Sequence, residues 1–235
     1  FIDKQNLTLA AGPAVSRWAN ASYGLDALLD IWNVVLGLAV LFLARILGTL
    51  YLINNVDNET MRKRCRKEVL TNTIVFLVFF LAFVIRTMLK DGFAYDPNTG
   101  VIFMQPLKYF NNLVTLWPVA LVFIVGVVLV LYGIGKTLMK TDYLKGIWPS
   151  GIGTVLTVLA LFLLAGWNNT AYYPSTADLQ SSLTIENSSS SPFTLQVMAI
   201  VSLLVPFVLA YIWYAWRSMD KKKLDMDEVK HGDVY

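Results

Sequence analysis

Charge is scarce in this sequence. Only 15% of its 235 residues are Asp, Glu, Lys or Arg, against about 25% in an ordinary soluble domain. None of the long apolar runs contains an Asp or a Glu. Ion-coupled pumps and antiporters keep carboxylates at membrane depth, so that class is disfavoured. There is one Cys, Cys65, which excludes a disulfide within the chain and any multi-cysteine metal site. There is one His, His231, in a polar C-terminal stretch. A haem in a membrane bundle usually takes His or Met as axial ligands. Only Met88 and Met198 stand at plausible depth, both near the ends of apolar runs. No phosphate-binding glycine motif, metal-ligand cluster or nucleophile–base pair is present. The sequence therefore assigns no catalytic, cofactor-binding or metal-binding residue to this chain.

What is abundant is apolar side chain. Hydrophobic residues make up 56% and aromatics 13%, with seven Trp and a mean hydropathy of +0.56. Too few polar residues remain to cover a soluble core of this size. The fold class expected is an all-α, polytopic transmembrane helix bundle. Five spans are read at 31–53, 71–89, 113–135, 150–167 and 193–216. At about 1.5 Å per residue the longest reach roughly 35 Å, enough for a hydrocarbon core of about 30 Å. In lipid these runs must be helices, because each backbone N–H and C=O needs an internal partner. Residues 1–30 read as an external N-terminal segment, 168–191 as a polar outer loop and 217–235 as a cytoplasmic tail.

Net charge is +3, but the placement of the cations carries more than the sum. Arg62, Lys63, Arg64, Arg66 and Lys67 follow the first span. Lys136, Lys140 and Lys145 follow the third, and Arg217, Lys221, Lys222, Lys223 and Lys230 follow the fifth. The alternate segments hold only Lys4, Arg17, Lys90 and Lys108. This pattern is a topology signal and not a nucleic-acid footprint. The positive-inside rule places the rich side in the cytoplasm, with the N-terminus outside and the C-terminus inside. Asn6, Asn20, Asn58, Asn168 and Asn187 match the N-glycosylation sequon; Asn58 falls on the cytoplasmic side, so the motif reads as chance.

Two arginines fall inside spans and are the candidate buried polar or interface residues. Arg86 is one turn from the outer end of its span and can snorkel to the interface. Arg45 is eight residues from the inner end of the first span, roughly 12 Å deep. A guanidinium keeps its proton, and no span supplies an acid, so Arg45 either snorkels or pairs with a carboxylate, haem propionate, backbone carbonyl or ordered water that a facing helix of another bundle contributes. Pro206 should kink the last span and free the Ser202 carbonyl. Pro118 falls in the first turn of its helix. Gly37, Gly48, Gly126 and Gly133 are expected to mark tight helix crossings, and Gly151 and Gly153 to permit close approach in the fourth span.

The stretch IWNVVLGLAVLFLARILGTLYLINN from Ile31 resembles the middle of subunit II of the cytochrome bd quinol oxidases. The run GWNNTAYYPSTADLQSSLTIENSSSSPFTLQVM is more specific. Its Pro174-Ser175, Ser182-Leu183-Thr184 and Ser190 to Met198 resemble that subunit's last outer loop and the entry to its last helix. The closing His231 to Tyr235 is similar to the family's tail. The family's first four helices, with their Asp-Gly-Phe-type and Trp-Asp-Gly-Asn-Gln-Val-Trp-type segments, have no counterpart. The resemblance implies the last five helices of subunit II, with the N-terminal half as a missing partner. It implies further partners: a haem-bearing subunit I, quinol and membrane lipids. Haem b and haem d would be bound by subunit I, and a quinone or lipid is possible on subunit II. The expected function is that of a haem-free structural subunit of a respiratory quinol:oxygen oxidoreductase that reduces oxygen to water. The location implied is a bacterial or archaeal cytoplasmic membrane. Half of an inverted-repeat transporter, or a membrane assembly factor, is the alternative.

Overall fold

The computed structural model describes residues 21–175 and 178–219. Among them are five helical segments long and apolar enough to cross a membrane. In chain order the elements are α1 (Ile31–Asn55), α2 (Glu59–Leu89), strands β1 (Gly92–Tyr95) and β2 (Ile102–Gln105), α3 (Lys108–Thr115), α4 (Trp117–Met139), α5 (Ile147–Gly166), the short α6 (Ile185–Ser188), and α7 (Pro192–Ser202) with α8 (Val205–Met219). The fold is the all-α polytopic bundle expected, with α7 and α8 together forming the fifth span.

Local chemistry sets the helix ends. The Asp30 carboxylate accepts the Trp32 N–H at the start of α1, and the Asn58 side chain accepts the Met61 N–H at the start of α2. The third span differs from the run 113–135. Pro118 has no N–H for the Val114 carbonyl, and its ring crowds that carbonyl. The chain therefore breaks at Leu116, leaving α3 as a separate amphipathic turn and starting α4 at Trp117. Helix α2 starts twelve residues before the apolar run at 71, because Asn58 caps a polar stretch of good helix formers. The hairpin of β1 and β2, paired antiparallel with Gly92 opposite Gln105, was not legible as strand in a segment read as an outer loop.

Two helical hairpins form the body. Helices α1 and α2 pack together, as do α4 and α5, and the two pairs meet along Ala39, Ile46, Leu50 and Ile53 of α1, Cys65, Val69 and Phe76 of α2, and Val130 and Ile134 of α4. The crossing of α4 and α5 is built on small residues. A Cβ on Gly126 would lie 2.6 Å from Thr157 Oγ1 and 2.9 Å from the Gly153 carbonyl oxygen. One on Gly133 would overlap Ser150 Oγ. Gly153 likewise faces the Gly126 carbonyl. The expectation for Gly37, Gly48 and Gly151 is different: no described atom lies within 4 Å of a Cβ built there. Those three glycines sit on faces that no other described helix approaches closely, which span periodicity alone does not reveal.

A single arginine ties the two pairs together on the Arg/Lys-rich side. Arg66 on α2 donates through Nε to the Thr137 carbonyl (3.1 Å) and through Nη2 to the Thr141 carbonyl. The Thr137 carbonyl is in the last turn of α4, where the helix dipole favours a cation, and Thr141 follows the helix end. Arg66→Ala should lower stability by about 1.5–3 kcal/mol, the range for hydrogen bonds to a charged group. Thermal unfolding of the purified membrane complex checks this; Arg64→Ala, at an exposed neighbour with no such contact among the described residues, should leave it unchanged.

Candidate functional site

The two sequence-selected arginines lie at opposite ends of the bundle. Arg45 on α1 faces Glu68 on α2, with Nη2 3.5 Å from Oε2. The expectation that the partner would come from outside this part of the chain is corrected here. Glu68 lies just before the apolar run at 71, but α2 continues through it, so one helix carries both the span and the acid. The pairing also changes the depth of Arg45. Helices α1 and α2 are joined by three residues, so the last turns of α1 run beside Arg62, Lys63, Arg64, Arg66 and Lys67. Five cations cannot sit in hydrocarbon. The Arg/Lys-rich ends of both helices therefore project past the apolar layer, and Arg45 is at its edge. Both side chains remain more than half exposed, at 54% and 58%. The guanidinium also stands 5.8 Å from the Phe42 ring centroid.

Arg86 is at the other end of α2, 5.6 Å from the ring centroid of Trp32 in the first turn of α1. The cation thus rests on an aromatic face where indole rings favour the membrane interface. Lys90, one turn on, stands 5.0 Å from the Tyr109 ring. Burial holds the Lys90 ammonium below the usual lysine range; Arg86 adds to this and Asp30 opposes it.

The most highly organised polar structure is one that sequence reasoning missed. The segments after α2 and after α5 fold into a common cap, called here the outer cap after the expected topology, over the helix ends opposite the Arg/Lys-rich side. Asn112 on α3 is fully buried. Its Nδ2 donates to the Leu164 carbonyl at the end of α5 and to Thr170 Oγ1, both at 2.9 Å. Its Oδ1 accepts from Asn168 Nδ2 at 3.0 Å. Lys108, 6% exposed, donates from Nζ to the Asn168 carbonyl at 2.9 Å. Both edges of the hairpin are closed as well. Ala94 of β1 bridges Thr170. On the β2 side, the Gln180 carboxamide accepts the Ile102 N–H at 2.9 Å and donates to the Ile102 carbonyl at 2.6 Å, taking the place of a third strand. The signal available in sequence was only a polar loop between spans. The register that brings residues 112, 168 and 170 together depends on the break at Leu116.

Lys108 gives the cap a pH dependence. Burial pushes its pKa down. Below that depressed value the folded and opened caps are both protonated, and the desolvation cost is fully present. Between it and about 10.4, the opened form holds a proton that the folded form has released, so stability rises with pH. Limited proteolysis of the loop at 168–191 should show the cap tightening as pH is raised from 8 towards 10. Lys108→Met should reduce that slope and leave the part that comes from Lys90, which burial also holds below the usual lysine range.

Between the two helical pairs lies an apolar cleft of about 80 Å³. Leu43 of α1, Phe80 of α2, Leu131 of α4 and Val158 of α5 line it, with Thr154 and Thr157. Both threonine hydroxyls donate at 2.8 Å to carbonyls of their own helix, Ser150 and Gly153 respectively. The cleft therefore presents hydrocarbon and no free hydrogen-bonding group from these threonines. It can hold an apolar chain.

These features fit a membrane subunit whose organised parts are its packing seams and its outer cap. A family model described as cytochrome bd terminal oxidase subunit II matches residues 7–219. The chain belongs to that family, and so to a membrane-bound terminal oxidase. A search of curated proteins found no match to the chain.

Proposed function

We propose that this chain is the haem-free structural subunit of its oxidase. In this reading it supports a haem-bearing subunit I that oxidises quinol and reduces oxygen to water. The observation that carries it is the chemistry of the donor set at membrane depth. Haem iron in a membrane bundle usually takes His or Met as axial ligands. The described residues include no His, and His231 lies outside them. Met88 packs into the apolar cluster of Val119, Ala160 and Leu164. Met198 is on α7 with no described helix against it. These residues do not fit an axial pair, so haem b and haem d are assigned to the partner. No step of the reaction passes through this chain's side chains.

The organised seams give the chain its role. The α4–α5 crossing, the Arg66 tie and the outer cap make a rigid body, and its broad exposed apolar faces require lipid or protein cover. The cleft between the helical pairs suits a lipid or quinone tail. Arg45 with Glu68 is placed at the cytoplasmic edge and Arg86 on Trp32 at the outer edge, as the basic asymmetry of the loops orients them in a prokaryotic cytoplasmic membrane.

Isolation of the assembly through a tag on this chain tests the reading. Mass spectrometry should find a second membrane polypeptide whose own His and Met residues ligate the haem irons. A ligand mapped to this chain would overturn the proposal.

A further inference from the structure

The turn between α1 and α2 carries a pairing that the described residues do not complete. Val56 follows α1 with extended backbone, φ −103° and ψ 129°, and is bonded as one member of an isolated β-bridge. The isolated bridges between described residues join Ala94 to Thr170 and Tyr173 to Leu183. The strand residue opposite Val56 therefore belongs to 1–20, 176–177 or 220–235. Residues 176–177 join Ser175 to Asp178 in the outer cap, at the opposite end of the helices. Residues 1–20 lead towards the start of α1, and Val56 follows its end, 25 helical residues and about 37 Å away. Residues 220–235 follow α8 directly. In the last turns of α8, Trp216 meets Tyr51 of α1 edge-on, with ring centroids 6.3 Å apart. The chain thus leaves α8 beside the end of α1 that runs into Val56.

Charge selects the part of the tail that fits. Arg62, Lys63, Arg64, Arg66 and Lys67 fall in the first turns of α2. Lys63 pairs with Glu59 on its own helix at 2.8 Å, and Arg66 is committed to the end of α4. Arg62 is the cation nearest the turn. Its side chain is only 18% exposed, with Nη2 2.9 Å from Asp57 Oδ1, and its Nε is buried without an acceptor among the described residues. Such a field repels Lys221, Lys222 and Lys223 and attracts Asp225, Asp227 and Glu228, which come next in the sequence. Asp225 is six residues past Met219, up to about 20 Å of extended chain. That exceeds the roughly 10 Å between packed helices.

We propose that the acidic stretch Leu224–Val229 of the C-terminal tail docks on the α1–α2 turn, adding a short strand at Val56 and setting its carboxylates against Arg62 and the start of α2. A lipid headgroup would meet the cations but has no backbone to pair with Val56. The docked stretch gives the last span a hold it otherwise lacks, since every described residue from Pro192 to Met219 is exposed except Ala215, which is half-buried. The inference concerns this chain alone and is independent of where the haems are bound.

A photo-cross-linking residue, p-benzoylphenylalanine, is placed at Val56 or at the exposed Thr60 in separate variants of the full chain in its native membrane. Irradiation should give an adduct at the mass of a single chain, and digestion should map it to residues 220–235. Adducts at both positions only to lipid, to a second polypeptide or to a second copy of the chain would overturn the proposal. Asp225→Lys, Asp227→Lys and Glu228→Lys combined should lower the yield of the internal adduct several-fold, whereas Lys221→Ala, Lys222→Ala and Lys223→Ala combined should not lower it. An undiminished yield in the acidic-to-lysine variant would overturn the charge-selected docking even if the adduct maps to the tail.

Discussion

Gly153→Leu should cost roughly 3 kcal/mol or more and prevent accumulation of folded complex. A Cβ at this position would be 2.5 Å from the Gly126 carbonyl oxygen and 2.7 Å from the Val130 N. Both are backbone atoms, so no side-chain rotation relieves the overlap; the helices themselves must separate. Separation would also pull Ser150 Oγ from the Val130 carbonyl, now 3.3 Å away. Close approach is what drives helix association in lipid, where expelling water contributes nothing. The control is Gly37→Leu. It adds the same side chain to α1 where no described atom lies within 4 Å of the new Cβ. The thermal midpoint and yield of the detergent-solubilised complex should fall sharply for Gly153→Leu and far less for Gly37→Leu. Equal effects would mean that the α4–α5 crossing is not the tight seam described.

Asn112→Leu should open the outer cap, at a cost of about 2–4 kcal/mol. The leucine is close in size, so packing is largely retained. What is lost is the acceptor for Asn168 Nδ2 and the donor to Leu164 and Thr170. Asn168 Nδ2 and the Leu164 carbonyl would lose this partner beside a residue with no accessible surface, while Thr170 would keep only its bond to the Asn168 carbonyl. Proteolysis of the segment at 168–191 and amide hydrogen exchange at Tyr95 and Ala171, which bond across the cap to Asn169 and Phe93, should both accelerate. The last span leaves the cap through Thr184 and Ser191, so loosening the cap should also lower recovery of the assembled complex.

The physical basis of what was legible is simple for the helices. Length and apolarity place five spans, because the bilayer imposes a minimum run and a closed backbone. Pro206 shows how far a single residue can be read. Its missing N–H predicted a kink, and the helix does break beside it. Glu68 shows the limit. An apolar window stops at 71, but a helix does not stop where hydropathy changes, so the partner of Arg45 was sought outside when it lay one turn upstream. The glycines teach the same lesson from the other side. Gly126, Gly133 and Gly153 face a neighbour while Gly37, Gly48 and Gly151 do not, and the facing direction is set by helix pairing that no single span encodes. The cap was the least legible part. Asn112, Asn168 and Thr170 are ordinary loop-forming types, and only the turn at Leu116 and the hairpin register make them a buried network.

A chain that organises an oxidase without holding its haem has a distinct optical signature. A reduced-minus-oxidised optical spectrum tests this most directly, taken on the complex isolated through a tag on this chain and on the chain expressed alone. The account predicts haem b and haem d bands in the complex, and none for the chain alone when it is folded in the membrane with haem supplied. Haem bands of comparable intensity on the chain alone would contradict it.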